Sequence, residues 1–234
     1  MYLKIGLVLL NRNESVAIPQ ILPLIPKNLF ECIFAVDGNS TDGSDLLLSQ
    51  GGYEVLPQRA VGRGVAFQMG FSHIRDSNID ALVFLSCDGN EDPNDLHKFV
   101  EHLNLGADIV IASRMMKGAR NEEDKNLFRP RKWGNLLFMS LGYLFFGVGK
   151  PRITDPINGY RGITISAWNK LNLDAKTFDI EFQMSMRAYK HGLNVVEFPT
   201  IEGQRIGGES GAKALQTTYR MLSVLTRELY SKFR

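Results

Sequence analysis

The chain has 234 residues, 44% hydrophobic and 22% charged, which is enough apolar material for a full core in what reads as a single domain. A formal net charge of +2 is too small to argue for nucleic acid, and no cysteine–histidine cluster has zinc-site spacing. The two cysteines, Cys32 and Cys87, fall in or beside predicted strands and read as reduced core thiols of a cytosolic protein.

The opening run MYLKIGLVLLNRNES is short for a signal sequence, lacks a small-residue cleavage site and runs into a polar turn. Residues 4–10 are therefore read as the first strand, followed by a helix from about Ser15. Further strands are predicted at 33–36, 53–56, 81–85 and 108–112, with helices after Asp42, near 64–76 and after Pro93. Strands separated by single helices imply a mostly parallel α/β sheet with helices on both faces. Asp42 before Gly43-Ser44, and Asp92 before Pro93, suit helix starts, because Asp accepts orphan amide hydrogens and proline fits a first turn.

Two strand ends break into acidic loops, Asp37 in FAVDGNSTDGS and Asp88 in FLSCDGNEDP. Open α/β sheets bind ligands at those carboxyl ends. Two acidic loops side by side could hold a divalent cation, which a pyrophosphate leaving group needs to offset its charge. The pattern implies a nucleotide-sugar site.

The second half changes character after Arg114. Residues 114–132 are polar and charged and read as a mobile loop. The apolar stretch at 136–148 has 13 residues, short of the roughly 20 that span a bilayer. It reads either as a buried core helix or as an interfacial helix flanked by cations, and one face can pack while the other meets lipid. Asp179, Glu181 and Gln183 alternate in FDIEFQ, as on one face of an extended segment, with a charged helix start near Thr177 as the other reading. Residues 212–233 have apolar positions at helical spacing with Arg220, Arg227 and Lys232 interleaved: an amphipathic helix on the body, or one at a membrane surface. Tyr160 and Arg161 read as structural.

The ordered set LVLLNRNES, AVDGNSTDGS, GRGVAFQMGF, LSCDGNEDP, ASRMMKG, RKWGN, ITDPINGYRG, FDIEFQ and RIGGES resembles glycosyltransferase family 2, in its branch similar to dolichol-phosphate mannose synthase. The resemblance implies a GT-A fold, with residues 1–113 as the nucleotide-binding half and 114–234 as the acceptor-binding half. It also implies metal-assisted sugar transfer from a nucleotide diphosphate, with inversion at the anomeric carbon.

Carried over by position, the resemblance assigns nucleotide binding to Leu10, Asn13, Glu14, Asp37, Gly64 and Ser86, and metal binding (Mg²⁺ or Mn²⁺) to Asp88 and Asn90. This chain departs from the family pattern twice. Gly38 follows Asp37 where a second aspartate is common, and the usual Asp-X-Asp is Ser86-Cys87-Asp88. Arg114, Arg129 and Arg131 fall where the family contacts an acceptor phosphate, and guanidinium forks suit phosphate oxygens. Asp155, Glu181 and Arg205 fall at catalytic positions, with Arg205, in a pattern ending at Ser210, expected to close over the pyrophosphate.

The implied activity is transfer of a hexose from a GDP- or UDP-sugar to a polyprenyl-phosphate-type lipid, by a cytoplasmic protein in peripheral contact with the inner face of the membrane. A saccharide hydroxyl as acceptor, and nucleotide-sugar binding without turnover, are the alternatives. A nucleotidyltransferase is the poorer reading, because no Gly-rich, lysine-bearing phosphate loop follows Leu10.

Overall fold

The computed structural model describes residues 2–125, 127, 129–206 and 214–232, with the side chains of 125, 131, 214, 215 and 232 left aside. The expected contributions of Arg131 and Ser210 therefore lie outside the described residues. Seven strands form one sheet in the order β3-β2-β1-β4-β6-β5-β7. They are β1 (Ile5–Asn11), β2 (Cys32–Asp37), β3 (Glu54–Pro57), β4 (Ala81–Ser86), β5 (Ile109–Ser113), β6 (Arg161–Thr164) and β7 (Val195–Pro199). All neighbouring pairs are parallel except β4–β6 and β5–β6, where β6 runs antiparallel.

Central strands of such a sheet are covered on both faces, which is why β4 reads ALVFLS and is buried at every position. Side chains alternate between two cores with period two. Val8, Phe34 and Phe84 enter one core, against α3 (Arg63–His73), α6 (Ile165–Leu171), α7 (Ile180–His191) and α8 (Ala214–Lys232). Leu7, Leu9, Val83 and Leu85 enter the other, against α1 (Ile18–Ile21), α2 (Ser44–Gln50) and α4 (Leu96–Asn104). Phe84 stacks on Phe67 at 4.0 Å. Burying such a ring contributes about 1.5–3 kcal/mol.

The first five strands lie within a residue or so of the predicted ranges, and Asp92 caps the turn at Pro93–Asp95 by accepting from the amide of Asn94 at 2.9 Å. The segment expected from about Ser15 is only a short α1 followed by tighter turns. Part of the stretch expected as a loop is ordered by a turn at Glu122–Lys125 and by a bridge between Arg120 and Ile201. The alternation in FDIEFQ is not a strand. Asp179 precedes α7, and Glu181 and Gln183 lie within it, where residues two apart point to roughly opposite sides at 3.6 residues per turn.

The apolar stretch forms α5 (Pro130–Gly142) and a wider π-type turn at Tyr143–Gly147. Phe138 and Phe146 are buried, while Trp133, Leu137, Leu144 and Val148 are exposed. The core-helix reading describes the side that carries Phe138 and Phe146, and the opposite side is open to solvent. Among the described residues, no helix is long and apolar enough to cross a membrane.

Candidate active site

The chain leaves β1 to one side for β2 and β3 and returns to the other side for β4, so the strand order reverses between β1 and β4. A crevice at the carboxyl ends of the strands forms at such a point. Leu10 ends this stretch of β1 opposite Ser86 of β4, and its carbonyl accepts from the amide of Cys87 at 2.9 Å.

The two acidic loops are not side by side, because β1 lies between their strands. With neighbouring strands about 4.8 Å apart, the strand ends are roughly 10 Å apart. Asp37 spends its carboxylate locally: Oδ1 accepts from Asn11 Nδ2 at 2.7 Å and from Ser40 Oγ at 2.5 Å, and Oδ2 accepts from the amide of Ser40 at 2.9 Å. Asn13 takes a left-handed backbone (φ 57°), and its side chain accepts from the amide of Thr41 at 2.8 Å. These bonds tie the loop after β1 to the loop after β2.

What meets Asp88 is Glu14, from the loop that follows β1. Nη2 of Arg205 bonds Glu14 Oε1 and lies 3.4 Å from Asp88 Oδ2. Burial raises the pKa of Glu14 despite the arginine beside it. Asn90 turns its amide to Asp88 Oδ1 at 3.3 Å and its carbonyl to the amide of Gly203 at 2.8 Å.

Two residues missed in the sequence complete the floor. Arg63, in the first turn of α3, sets Nε 2.5 Å from Glu181 Oε1 and Nη1 3.3 Å from Ser86 Oγ, with Glu91 at 3.8 Å. Glu91 accepts from the amide of Ser86 at 2.6 Å and from its hydroxyl at 3.2 Å. Burial, partly offset by Arg63, pushes Glu91 up to about 7. Glu181 is likewise raised by burial against the pull of Arg63 and Arg161. The signals were the arginine inside Gly-Arg-Gly and the second acid after Asp88; each looks like ordinary turn polarity in isolation.

Gly64 is explained by a close approach. A Cβ there would stand 2.2 Å from the carbonyl oxygen of Ala175, so only glycine lets the start of α3 pack against that segment.

Asp155 is fully buried, bound bidentately by Arg114 through Nε at 2.7 Å and Nη2 at 3.0 Å, and also by Asn135 at 2.7 Å. Burial alone would raise its pKa, but the attraction and hydrogen bonds of Arg114 outweigh this and hold it below the usual carboxylate range. Glu202 takes the other arm of Arg114 at 3.1 Å, so two carboxylates engage the guanidinium. Arg129 bonds Asp124, through its carboxylate at 3.3 Å and its carbonyl at 2.7 Å. Arg161, also fully buried, donates to the carbonyls of Asn158 (2.5 Å), Pro156 (2.7 Å) and Glu181 (3.1 Å), and burial brings its pKa down to about 10.

The sheet is mostly parallel and opens at its reversal point onto carboxylates and two arginines, as the resemblance to a GT-A glycosyltransferase implies. Residues 10–166 match the family model for glycosyl transferase family 2, and the chain belongs to that family. It is similar to glycosyltransferase AglJ of Haloferax volcanii, 27% identical over 192 residues, covering 80% of this chain and 59% of that protein. It is also similar to polyprenol monophosphomannose synthase of Mycolicibacterium smegmatis, 25% identical over 189 residues, covering 76% and 69%. Undecaprenyl-phosphate mannosyltransferase of Micrococcus luteus is 27% identical over 149 residues, covering 64% and 60%. Thus the chain spans less than two thirds of the length of the first and third of these relatives. Among solved structures, glucosyl-3-phosphoglycerate synthase from Mycobacterium tuberculosis, in complex with Mn²⁺, uridine diphosphate and glucosyl-3-phosphoglycerate, superposes with a TM-score of 0.72. That match covers 97% of this chain and 80% of the other at 18% identity, a likeness of fold.

Proposed function

We propose that this glycosyltransferase moves a hexose from a UDP- or GDP-sugar to a polyprenyl phosphate, with inversion at the anomeric carbon and with Mg²⁺ or Mn²⁺. The observation that carries this reading is the meeting of Glu14, Asp88 and Arg205 where the strand order reverses. A diphosphate bound there finds an arginine for its oxygens, and Asp88 with Asn90 would hold the ion. These are hard oxygen donors, and the guanidinium drawn between two carboxylates marks a place that favours positive charge. The described residues bring no three His, Cys, Asp or Glu side chains together as a cation cage, so phosphate oxygens and water would have to complete the shell of an ion held by Asp88 and Asn90. The ion supplies charge neutralisation for the departing diphosphate.

A phosphate acceptor is already an anion near neutral pH and attacks without a general base. The buried positions of Asp155 and Glu181 suit that chemistry: both hold arginines in place, Asp155 through Arg114 and Glu181 through Arg63. The names of two relatives, a polyprenol monophosphomannose synthase and an undecaprenyl-phosphate mannosyltransferase, support a lipid phosphate as acceptor. The exposed apolar residues of α5 and the turn after it, followed by exposed Lys150 and Arg152, suit a protein lying on a headgroup layer.

The test is incubation with labelled UDP- and GDP-hexoses, divalent metal and polyprenyl phosphate, followed by organic extraction. Label in the organic phase is the expected result. Label transferred only to aqueous saccharide overturns the lipid acceptor, and no release of UDP or GDP with any acceptor overturns the transferase reading for these donors.

A further inference from the structure

The triplet that ends β4 offers one carboxylate, because Ser86 carries no charge. Asp37 does not make up the difference: β1 separates its strand from β4, and both its oxygens accept hydrogen bonds. The carboxylate that the fold does bring to Asp88 is that of Glu14. One nitrogen of Arg205 touches both acids, bonding Glu14 Oε1 and lying 3.4 Å from Asp88 Oδ2. The other oxygen of Glu14, Oε2, is buried and accepts no hydrogen bond from the described residues, in a residue only 5% exposed. A buried oxygen without a donor is costly, and a hard cation is a ligand that would satisfy it.

We propose that Glu14 is a ligand of the divalent cation together with Asp88, and that Arg205 holds the cation's place until the ion displaces it. This rests on the metal-assisted reading above and adds a residue to it. Mg²⁺ and Mn²⁺ draw oxygen ligands to about 2.1 Å. Two carboxylates cannot close that far on an ion while a guanidinium nitrogen stands between them, so ion and arginine exclude one another.

The backbone around Arg205 is pinned to the metal turn, so that only its side chain has to move. Gly203 donates to the carbonyl of Asn90 at 2.8 Å and Ile206 to that of Asp88 at 2.9 Å. The side chain of Ile206 covers Gly89, which has φ of +81°, and a Cβ there would stand 2.6 Å from Ile206 Cδ1. An arginine displaced from the carboxylates therefore stays beside the crevice, within reach of a diphosphate. Metal loading and the turning of Arg205 towards the leaving group become one event.

The test is binding of Mn²⁺ alone to the full chain, followed by electron paramagnetic resonance, and then binding of UDP and GDP with and without the ion. Glu14→Gln is expected to weaken Mn²⁺ binding at least about tenfold. Arg205→Gln is expected to tighten Mn²⁺ binding without nucleotide by about tenfold, as removal of an occupant filling about nine-tenths of the sites would do. A misfolded variant cannot mimic that gain.

If Asp88→Asn loses Mn²⁺ while Glu14→Gln and Arg205→Gln bind as wild type does, the proposal is overturned and the metal reading stands. If Glu14→Gln weakens only metal-free nucleotide binding, Glu14 serves the nucleoside and the proposal is again overturned. If the wild-type chain binds no Mn²⁺ with or without nucleotide, the metal reading itself fails.

Discussion

Arg114 and Asp155 form a two-pronged ion pair, Nε to Oδ2 at 2.7 Å and Nη2 to Oδ1 at 3.0 Å, with Asp155 fully out of solvent. The backbone amide of Arg114 adds a third bond to Oδ2 at 3.0 Å. The turn that carries Asp155 is itself held, because Glu197 accepts from the amides of Thr154 and Asp155 at 2.6 and 3.0 Å. Together these contacts lock the end of β5 to the segment before β6.

Asp155→Asn should therefore leave the partly buried Arg114 guanidinium with Glu202 as its remaining carboxylate and lower stability at neutral pH by roughly 1–3 kcal/mol. The folded pKa of Asp155 is depressed. Its stabilisation is thus present above the unfolded carboxyl value and is lost as pH falls through the lower folded one. Urea unfolding of wild type and variant at pH 7 and at progressively lower pH should show the gap narrowing towards acid. A gap that stays constant would mean that shape, and not charge, makes the contribution.

Arg63 and Glu181 join the start of α3 to the start of α7 at 2.5 Å, with the glutamate 1% exposed. A double-mutant cycle with Arg63→Met and Glu181→Gln should give a coupling of about 1–3 kcal/mol, since the partners touch and are shielded from water. Arg63→Met strands the buried carboxylate and Glu181→Gln takes the nearest acid from the partly buried guanidinium, so the double variant should be more stable than the two losses added together. Additive losses would show that the pair does not act as a unit.

The parallel strands other than β7, which lies outside the predicted ranges, were legible as short apolar runs, and those of β2 and β4 break into Gly, Asn, Ser and Asp at their carboxyl ends. The antiparallel strand β6 was not. It is RGIT, and its arginine is buried only because carbonyls of Pro156, Asn158 and Glu181 converge on it from other segments. No local pattern announces that. The start of α7 misled for a related reason: Glu181 bonds Arg63, while Gln183 bonds Asp174 and lies 3.3 Å from Glu228, so each polar residue was placed by a distant partner and not by an alternating surface. At the site, Asp88, Glu14 and Arg205 stood out by motif and the fold brings them together, whereas Arg63 and Glu91 acquire meaning only once β4 and α3 are neighbours.

Ser86 and Glu91 are a case in point. The glutamate lies against the serine's amide at 2.6 Å and its hydroxyl at 3.2 Å, so the space beside Ser86 already holds a carboxylate. Ser86→Asp, which restores the common acidic triplet, sets a second one against it. At pH 8 this should lower the melting temperature by about 3–8 °C, as a loss of about 1–3 kcal/mol does in a chain of this size. Adding Glu91→Gln should recover most of the loss. A single Ser86→Asp variant that melts like wild type would show that Glu91 swings aside freely.

The surface reading of α5 makes a separable prediction. Leu137 and Leu144 are 54% and 62% exposed, so replacing both removes little from the folded core. If they enter a headgroup layer, each should contribute about 1 kcal/mol to membrane binding. Leu137→Asp with Leu144→Asp should then reduce co-sedimentation with anionic vesicles by about tenfold or more. The melting temperature, and transfer to a short-chain, water-soluble polyprenyl phosphate, should stay near wild type. Loss of transfer to the short-chain acceptor would instead place these leucines at the acceptor site, and unchanged co-sedimentation would remove this face from the membrane contact.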